Sequence, residues 1–290
     1  MADDQGPVVQ SALLRTELVK LRKEKGLTQE QVARTLEWSP SKLIRIEGGK
    51  NAISRTDLQA LLFTYDVASE SRQERLQGLA RGARGPAWWS TYRGDVNDVY
   101  LNYVGYEAGA ATIRHTQTTV IPGLLQTERY AEVLAAGQIG PVKVGPVVKL
   151  RLERQRRLAE RESPSRQFHL IDEAVIRRHV GVRVDPDIMP AQLRSIADRV
   201  ETEDISVRII PFGAGAHSAL TTGPYIILEF EGGLSDVLFL EGQRSSSALI
   251  TGDESQIADY RDAFETLAEE ALGVEDSVAL LRQAAEELMD

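Results

Sequence analysis

The chain has no cysteine among its 290 residues. That excludes disulfides, thiolate nucleophiles and cysteine-ligated zinc together, and it suits a reducing compartment. Histidine is scarce too, at four residues: His115, His169, His179 and His217. No two of them stand at the His-x-x-x-His or His-Glu-x-x-His spacing of a helical zinc site. His169, Asp172 and His179 can be drawn as a metal site, but His169 falls in a strand pattern. His217 and Ser218 with Asp236 can be drawn as a triad, but no Gly-x-Ser-x-Gly elbow accompanies them. The glycine-rich stretch FGAGAHS lacks the Gly-Lys-Ser/Thr ending of a phosphate loop. No apolar run approaches the roughly 18 residues of a membrane-spanning helix. The opening MADDQGPVVQ is acidic where a signal peptide would be basic. The expectation is a cytoplasmic protein without cofactor or metal.

One further scarcity is local. From Glu229 to Asp290 there are three Lys/Arg against sixteen Asp/Glu, a balance of −13, whereas Gln10 to Arg55 carries ten against five, a balance of +5. The net charge of −9 therefore hides a basic head on an acidic body, as expected if the head meets a polyanion and the body does not. The acidic end then faces away from that polyanion and is open to a partner.

What is present begins with short helical patterns. Leu14, Leu18 and Leu21 give Ser11–Glu24 an apolar stripe, and Gly26 suits its left-handed end. Thr28 with Gln31 forms a capping box before Val32, Ala33 and Leu36. Ser39 and Pro40 open a third helix that buries Leu43 and Ile46 and stops at Gly48-Gly49. Ser54 with Asp57 opens a fourth, built on Leu58, Leu61 and Leu62, and a fifth covers Glu70–Leu79. The stretch RGARGPAWWS then breaks the pattern as a linker. The division is 1–80, an all-α module; 81–95, a linker; and 96–290, an α+β body with a mixed or antiparallel sheet and covering helices. In the body ISVRIIPF, YIILEF and SDVLFLE read as three strands with short connections that pair, and SSSALIT as a weaker fourth. Helices are expected from Val99, Tyr100, Tyr103 and Tyr106, over Leu124–Ala136, over the charged Val147–Glu162, and over Asp187–Glu201, Asp253–Leu272 and Glu275–Leu288.

Five helices in about 70 residues, the second and third joined by a tight turn, is the arrangement of a helix-turn-helix. With Leu43 and Ile46 inward, the third helix keeps Ser41, Lys42 and Arg45 outward. Arginine and lysine there can bond guanine in a major groove. Thr28 and Gln29 begin the second helix, where an amide and the helix start can hold a phosphate; Lys50 and Asn51 follow the third helix and can grip the next phosphates. The stretch GLTQEQVA…SPSKLIRIEGGK resembles the lambda-repressor/Cro-like, or xenobiotic-response-element type, helix-turn-helix family. The resemblance implies that Gln29 grips phosphate and that Pro40, Ser41, Lys42 and Arg45 read bases. Ile44 departs from the family's small polar residue and offers an apolar contact to a thymine methyl. Four further segments, HTQTTVIPGLLQTERYAEVL, RLERQRRL, FHLIDEAVIRR and PFGAGAHSALTTGPYIILEF, resemble the C-terminal domain of actinomycete regulators that are similar to antitoxins and sit beside genes for small proteins. The expectation is a dimeric regulator of double-stranded DNA, without enzymatic activity, governed by a small protein partner or a ligand. Two alternatives stay open: an antitoxin-like protein that neutralises a partner, and an enzyme with a DNA-tethering domain.

Overall fold

A computed structural model describes residues 6–49, 51–242 and 246–289. The chain forms two compact units, Met1–Ser90 with Glu231–Leu234, and Thr91–Phe230 with Ser235–Asp290.

The first unit is helical: α1 (Gly6–Glu24), α2 (Gln29–Thr35), α3 (Pro40–Glu47), α4 (Arg55–Thr64) and α5 (Glu70–Gly82). Its core is the set of apolar positions the periodicity marks, with Leu18, Val32, Leu43, Leu58 and Leu61 almost wholly buried. Two boundaries differ from the sequence reading. Helix α1 starts at Gly6, because Val9, Ala12 and Leu13 are also buried and extend its inner face. Helix α5 continues through Ala80 to Gly82, where a Cβ would come within 1.5 Å of the Gln10 side chain. The glycine there admits a close approach of α1 and does not break the helix. The stretch read as a linker is thus partly ordered structure, with a 3-10 turn at Trp88–Tyr92 in which Trp89 is buried.

The second unit contains α6 (Asp98–Glu107), β1 (Thr112–Gln117), α7 (Glu128–Ala136), α8 (Pro141–Ala159), β2 (Arg166–Asp172), α9 (Glu173–Arg177), α10 (Ile188–Thr202), β3 (Ile205–Ile210), α11 (Ala219–Thr222), β4 (Tyr225–Glu229), β5 (Val237–Leu240), β6 (Ala248–Thr251), α12 (Glu254–Glu270) and α13 (Val274–Glu287). The strands form one mixed sheet in the order β3-β2-β1-β4-β5-β6, parallel from β1 to β3 and antiparallel from β1 through β4 to β6. The α+β body with a mixed sheet is the expected fold class. The pairing of β3 with β4 is not found. Strand β3 lies at the far edge beside β2, since α9 and α10 supply the crossover that a parallel pair requires.

Alternate side chains divide the sheet's two faces. Ile171, Val207 and Ile209 pack against α10 and α13, while Leu170, Ile210, Tyr225, Ile227 and Leu238 pack against α12. The acidic end keeps its charged surface but is also part of the core. Helix α13 keeps its acids outward but buries Val278, Leu281, Ala284 and Ala285, and Ser277 Oγ accepts the Ile209 N–H at 2.9 Å. Deleting it would open the core.

Candidate nucleic-acid interface

The geometry of the first unit begins with local chemistry. Gly26 adopts φ +66, and Leu27 N donates back to Arg22 O at 3.1 Å, which closes α1. Thr28 caps α2 reciprocally: its Oγ1 accepts from Gln31 N at 3.1 Å, and its own N–H donates to Gln31 Oε1 at 2.8 Å. The turn to α3 passes through Glu37 at φ 54, a conformation that costs a side-chain-bearing residue about 1 kcal/mol. Ser39 occupies the cap position of α3, but its side chain makes no cap bond, and Pro40 at the first turn supplies the preset backbone. Ser54 Oγ accepts from Asp57 N at 3.0 Å and opens α4.

Tertiary pairing then assigns the charged residues. Glu47, at the end of α3, is a nearly buried carboxylate held by Arg22 Nε and Nη2, at 2.7 and 2.9 Å. Arg22 also donates to Leu27 O at 2.9 Å. One guanidinium thereby ties the end of α1 to the start of α2 and to α3. Donating to the Glu47 carboxylate raises the Arg22 pKa above its ordinary value. Neither residue is among those the sequence marked as functional, although Glu47 lies inside the quoted Arg-Ile-Glu pattern.

Two expected DNA contacts are drawn into this framework. Gln29 Nε2 donates to Glu47 Oε2 at 2.7 Å, so one amide hydrogen points inward and does not wait for phosphate. Lys42 does not project beside Arg45. Its Nζ lies 2.6 Å from Asp57 Oδ1 and 3.9 Å from the centroid of the Trp38 ring, because its flexible stem reaches the first turn of α4. Pro40, Ser41, Ile44 and Arg45 are exposed on the outer side of α3, with Ile44 at 51 %. The Arg45 side chain has no intramolecular partner among the described residues. Thr28 and Asn51 are exposed as well, whereas Lys50 lies outside the described residues.

Beneath this surface the Tyr65 hydroxyl is buried without a hydrogen-bond partner among the described residues, and burial raises its pKa. Tyr65→Phe is therefore expected to leave stability unchanged or to raise it by up to about 1 kcal/mol, since no bond is lost and a desolvated hydroxyl is removed. Thermal melting of the variant checks this; a loss of more than about 1 kcal/mol would mean the hydroxyl has a partner.

The module's residues 13–76 match a family model described as a helix-turn-helix domain. A second model, described as a domain of unknown function (DUF5753), matches residues 100–283, more than half of the chain. The chain belongs to the DUF5753 family. No curated protein and no solved structure matches it.

Within the DUF5753 region the catalytic and metal constellations drawn from sequence are not assembled. His217 Nε2 lies 2.9 Å from Asp172 Oδ2, and Asp236 pairs instead with Arg261. His179 meets Pro186 O and His169 meets Gln167. Among the described residues no group of three or more His, Cys, Asp or Glu is placed to hold a metal, and no helix is long and apolar enough to cross a membrane. In the arginine run of α8, Arg156 and Arg157 pair within the helix, with Glu153, whose carboxyl they hold down to about 2, whereas Arg151 donates to Gln126 and Arg161 to Ala110 O and Ser165 Oγ. Arg154 alone in that run turns fully inward, to Glu107.

Proposed function

We propose that this protein is a sequence-specific DNA-binding transcriptional regulator. The reading rests chiefly on one observation: the outward face of α3 presents Ser41, Ile44 and Arg45 to solvent, while Arg22, Lys42 and Glu47 are bound internally. Arg45 is the guanine-reading residue and Ile44 supports a neighbouring thymine through its methyl group. Thr28, whose hydroxyl hydrogen is not used by the cap, and Asn51 steady the flanking backbone. Two modules are needed for a full site, with readers about 34 Å apart, so the working form is a homodimer. It acts in the cytoplasm and has no enzymatic role. The DUF5753 unit governs it through a protein partner or a ligand. A second reading, in which the chain neutralises a small partner protein and binds DNA for autoregulation, is favoured by the −13 balance of residues 229–290, which suits a basic partner.

Arg45→Ala and Lys42→Met separate the roles. After selection of an operator from a random pool, fluorescence anisotropy is measured on operator and scrambled duplexes. Arg45→Ala is expected to cost about 1–3 kcal/mol on the operator and much less on scrambled DNA. Lys42→Met is expected to leave the ratio between the two nearly unchanged, since its charge is spent on Asp57. A preserved ratio in Arg45→Ala would overturn this docking of α3, and a selection that enriches no sequence would overturn the regulator reading.

A further inference from the structure

The α12 face of the sheet carries a cleft of about 470 Å³, within the range of small-molecule sites. Arg114 of β1, Phe168 of β2, Ser206 and Arg208 of β3, and Phe264 and Glu265 of α12 line it. The sheet register brings these groups together. Arg114 lies opposite Phe168, Phe168 opposite Ser206, and Arg208 follows two residues later on the same face.

The two arginines differ in how they are neutralised. Arg114 has carboxylates at 2.8 Å (Glu229) and 2.9 Å (Glu265), and its guanidinium stands 5.3 and 5.5 Å from the Phe168 and Phe264 ring centroids. Arg208 has no carboxylate partner among the described residues. Its Nε and Nη2 donate to the carbonyl oxygens of Leu272 and Ala271, at 2.8 and 2.9 Å. These bonds orient the guanidinium without cancelling its charge, and they leave Nη1 free to donate. A half-buried cation without a counter-ion is uncommon in a folded protein. Here it stands beside aromatic walls, in a cleft large enough for an anion to reach it. Glu265 sits at the rim, with its side chain 58 % exposed, where it competes with any incoming anion.

We propose that this cleft binds a small monocarboxylate with a flat apolar body. The carboxylate accepts from Arg208, whose planar fork suits it better than a point charge would. The apolar body lies against Phe168 and Phe264. The site belongs to the second unit alone and holds whether or not the chain reads DNA.

The test uses the full chain, with 2-naphthoate as probe and 2-naphthamide as its neutral isostere, titrated by calorimetry. Naphthoate is expected to bind saturably at one site, with the amide at least about tenfold weaker. Glu265→Gln removes the competing rim carboxylate at an exposed position and is expected to tighten naphthoate binding about threefold. Arg208→Met is expected to weaken it at least about tenfold. Because Arg208 also anchors the end of α12, the amide comparison and Glu265→Gln decide the matter if that variant folds poorly. Absence of saturable binding up to about 5 mM, equal binding of acid and amide, or weaker binding by Glu265→Gln would overturn the assignment.

Discussion

Replacing Glu47 by alanine is expected to cost the helix-turn-helix unit about 3–5 kcal/mol, because it strands the Arg22 guanidinium in a nearly dry setting. The carboxylate side chain is 5 % exposed and that of Arg22 is 12 % exposed. Three bonds end on Glu47, two from Arg22 and one from Gln29. A domain's total stability is of order 5–15 kcal/mol, so this single change removes a large share of it. All three tryptophans of the sequence, Trp38, Trp88 and Trp89, lie in the first unit, so fluorescence during denaturant unfolding reports its transition alone. The double variant Arg22→Met/Glu47→Met is expected to recover most of the loss, since removing both charges leaves neither stranded. A loss below about 1 kcal/mol in Glu47→Ala would show the pair to behave like a solvent-exposed bridge.

Arg154→Met should produce a loss of similar size, about 3–5 kcal/mol, in the second unit. Arg154 and Glu107 are 4 % and 1 % exposed. The guanidinium meets both carboxylate oxygens, at 2.8 and 2.6 Å, and it also donates to the Tyr100 and Tyr103 hydroxyls. The Tyr103 hydroxyl in turn bonds Glu107. Methionine keeps the apolar stem and removes all of these donors, leaving a lone carboxylate beneath α8. Combining it with Glu107→Leu is expected to restore much of the stability. Hydrogen exchange of sheet amides measures both variants without relying on tryptophan. A single variant as stable as the parent, or a double variant no better than the single, would refute the account.

The sequence made legible what is decided over three or four residues. The Thr28–Gln31 box, the Gly26 stop and the Ser54 cap are local bonds, and each stands where the residue types place it. Partner choice for long side chains was not legible. Lys42 meets Asp57 and Gln29 meets Glu47, 15 and 18 residues away, and only the packed fold sets those distances. The place of β3 was hidden for the same reason, as strand order is not a property of any one segment. Arg154 did leave a trace. Leu150, Arg154 and Leu158 are spaced by four and all are buried, so the arginine occupies a slot of the apolar stripe. The surrounding Glu–Arg pairs of α8 masked it. No comparable trace marks the cleft beside α12, whose lining comes from β1, β2, β3 and α12.

The sheet order also sets a timetable for the growing chain. Helices α1 to α5 find their partners within one short segment, which is the kind of topology that folds fast. Strand β1 is central, yet its neighbour β4 arrives more than 100 residues later, with Thr112 pairing to Glu229. During synthesis at roughly 5–20 residues per second, helices α1 to α5 can be packed together while β1 still presents an unpaired edge to its surroundings. A chain that ends before Tyr225 would carry a packed five-helix head and an adhesive flank, the form most exposed to aggregation.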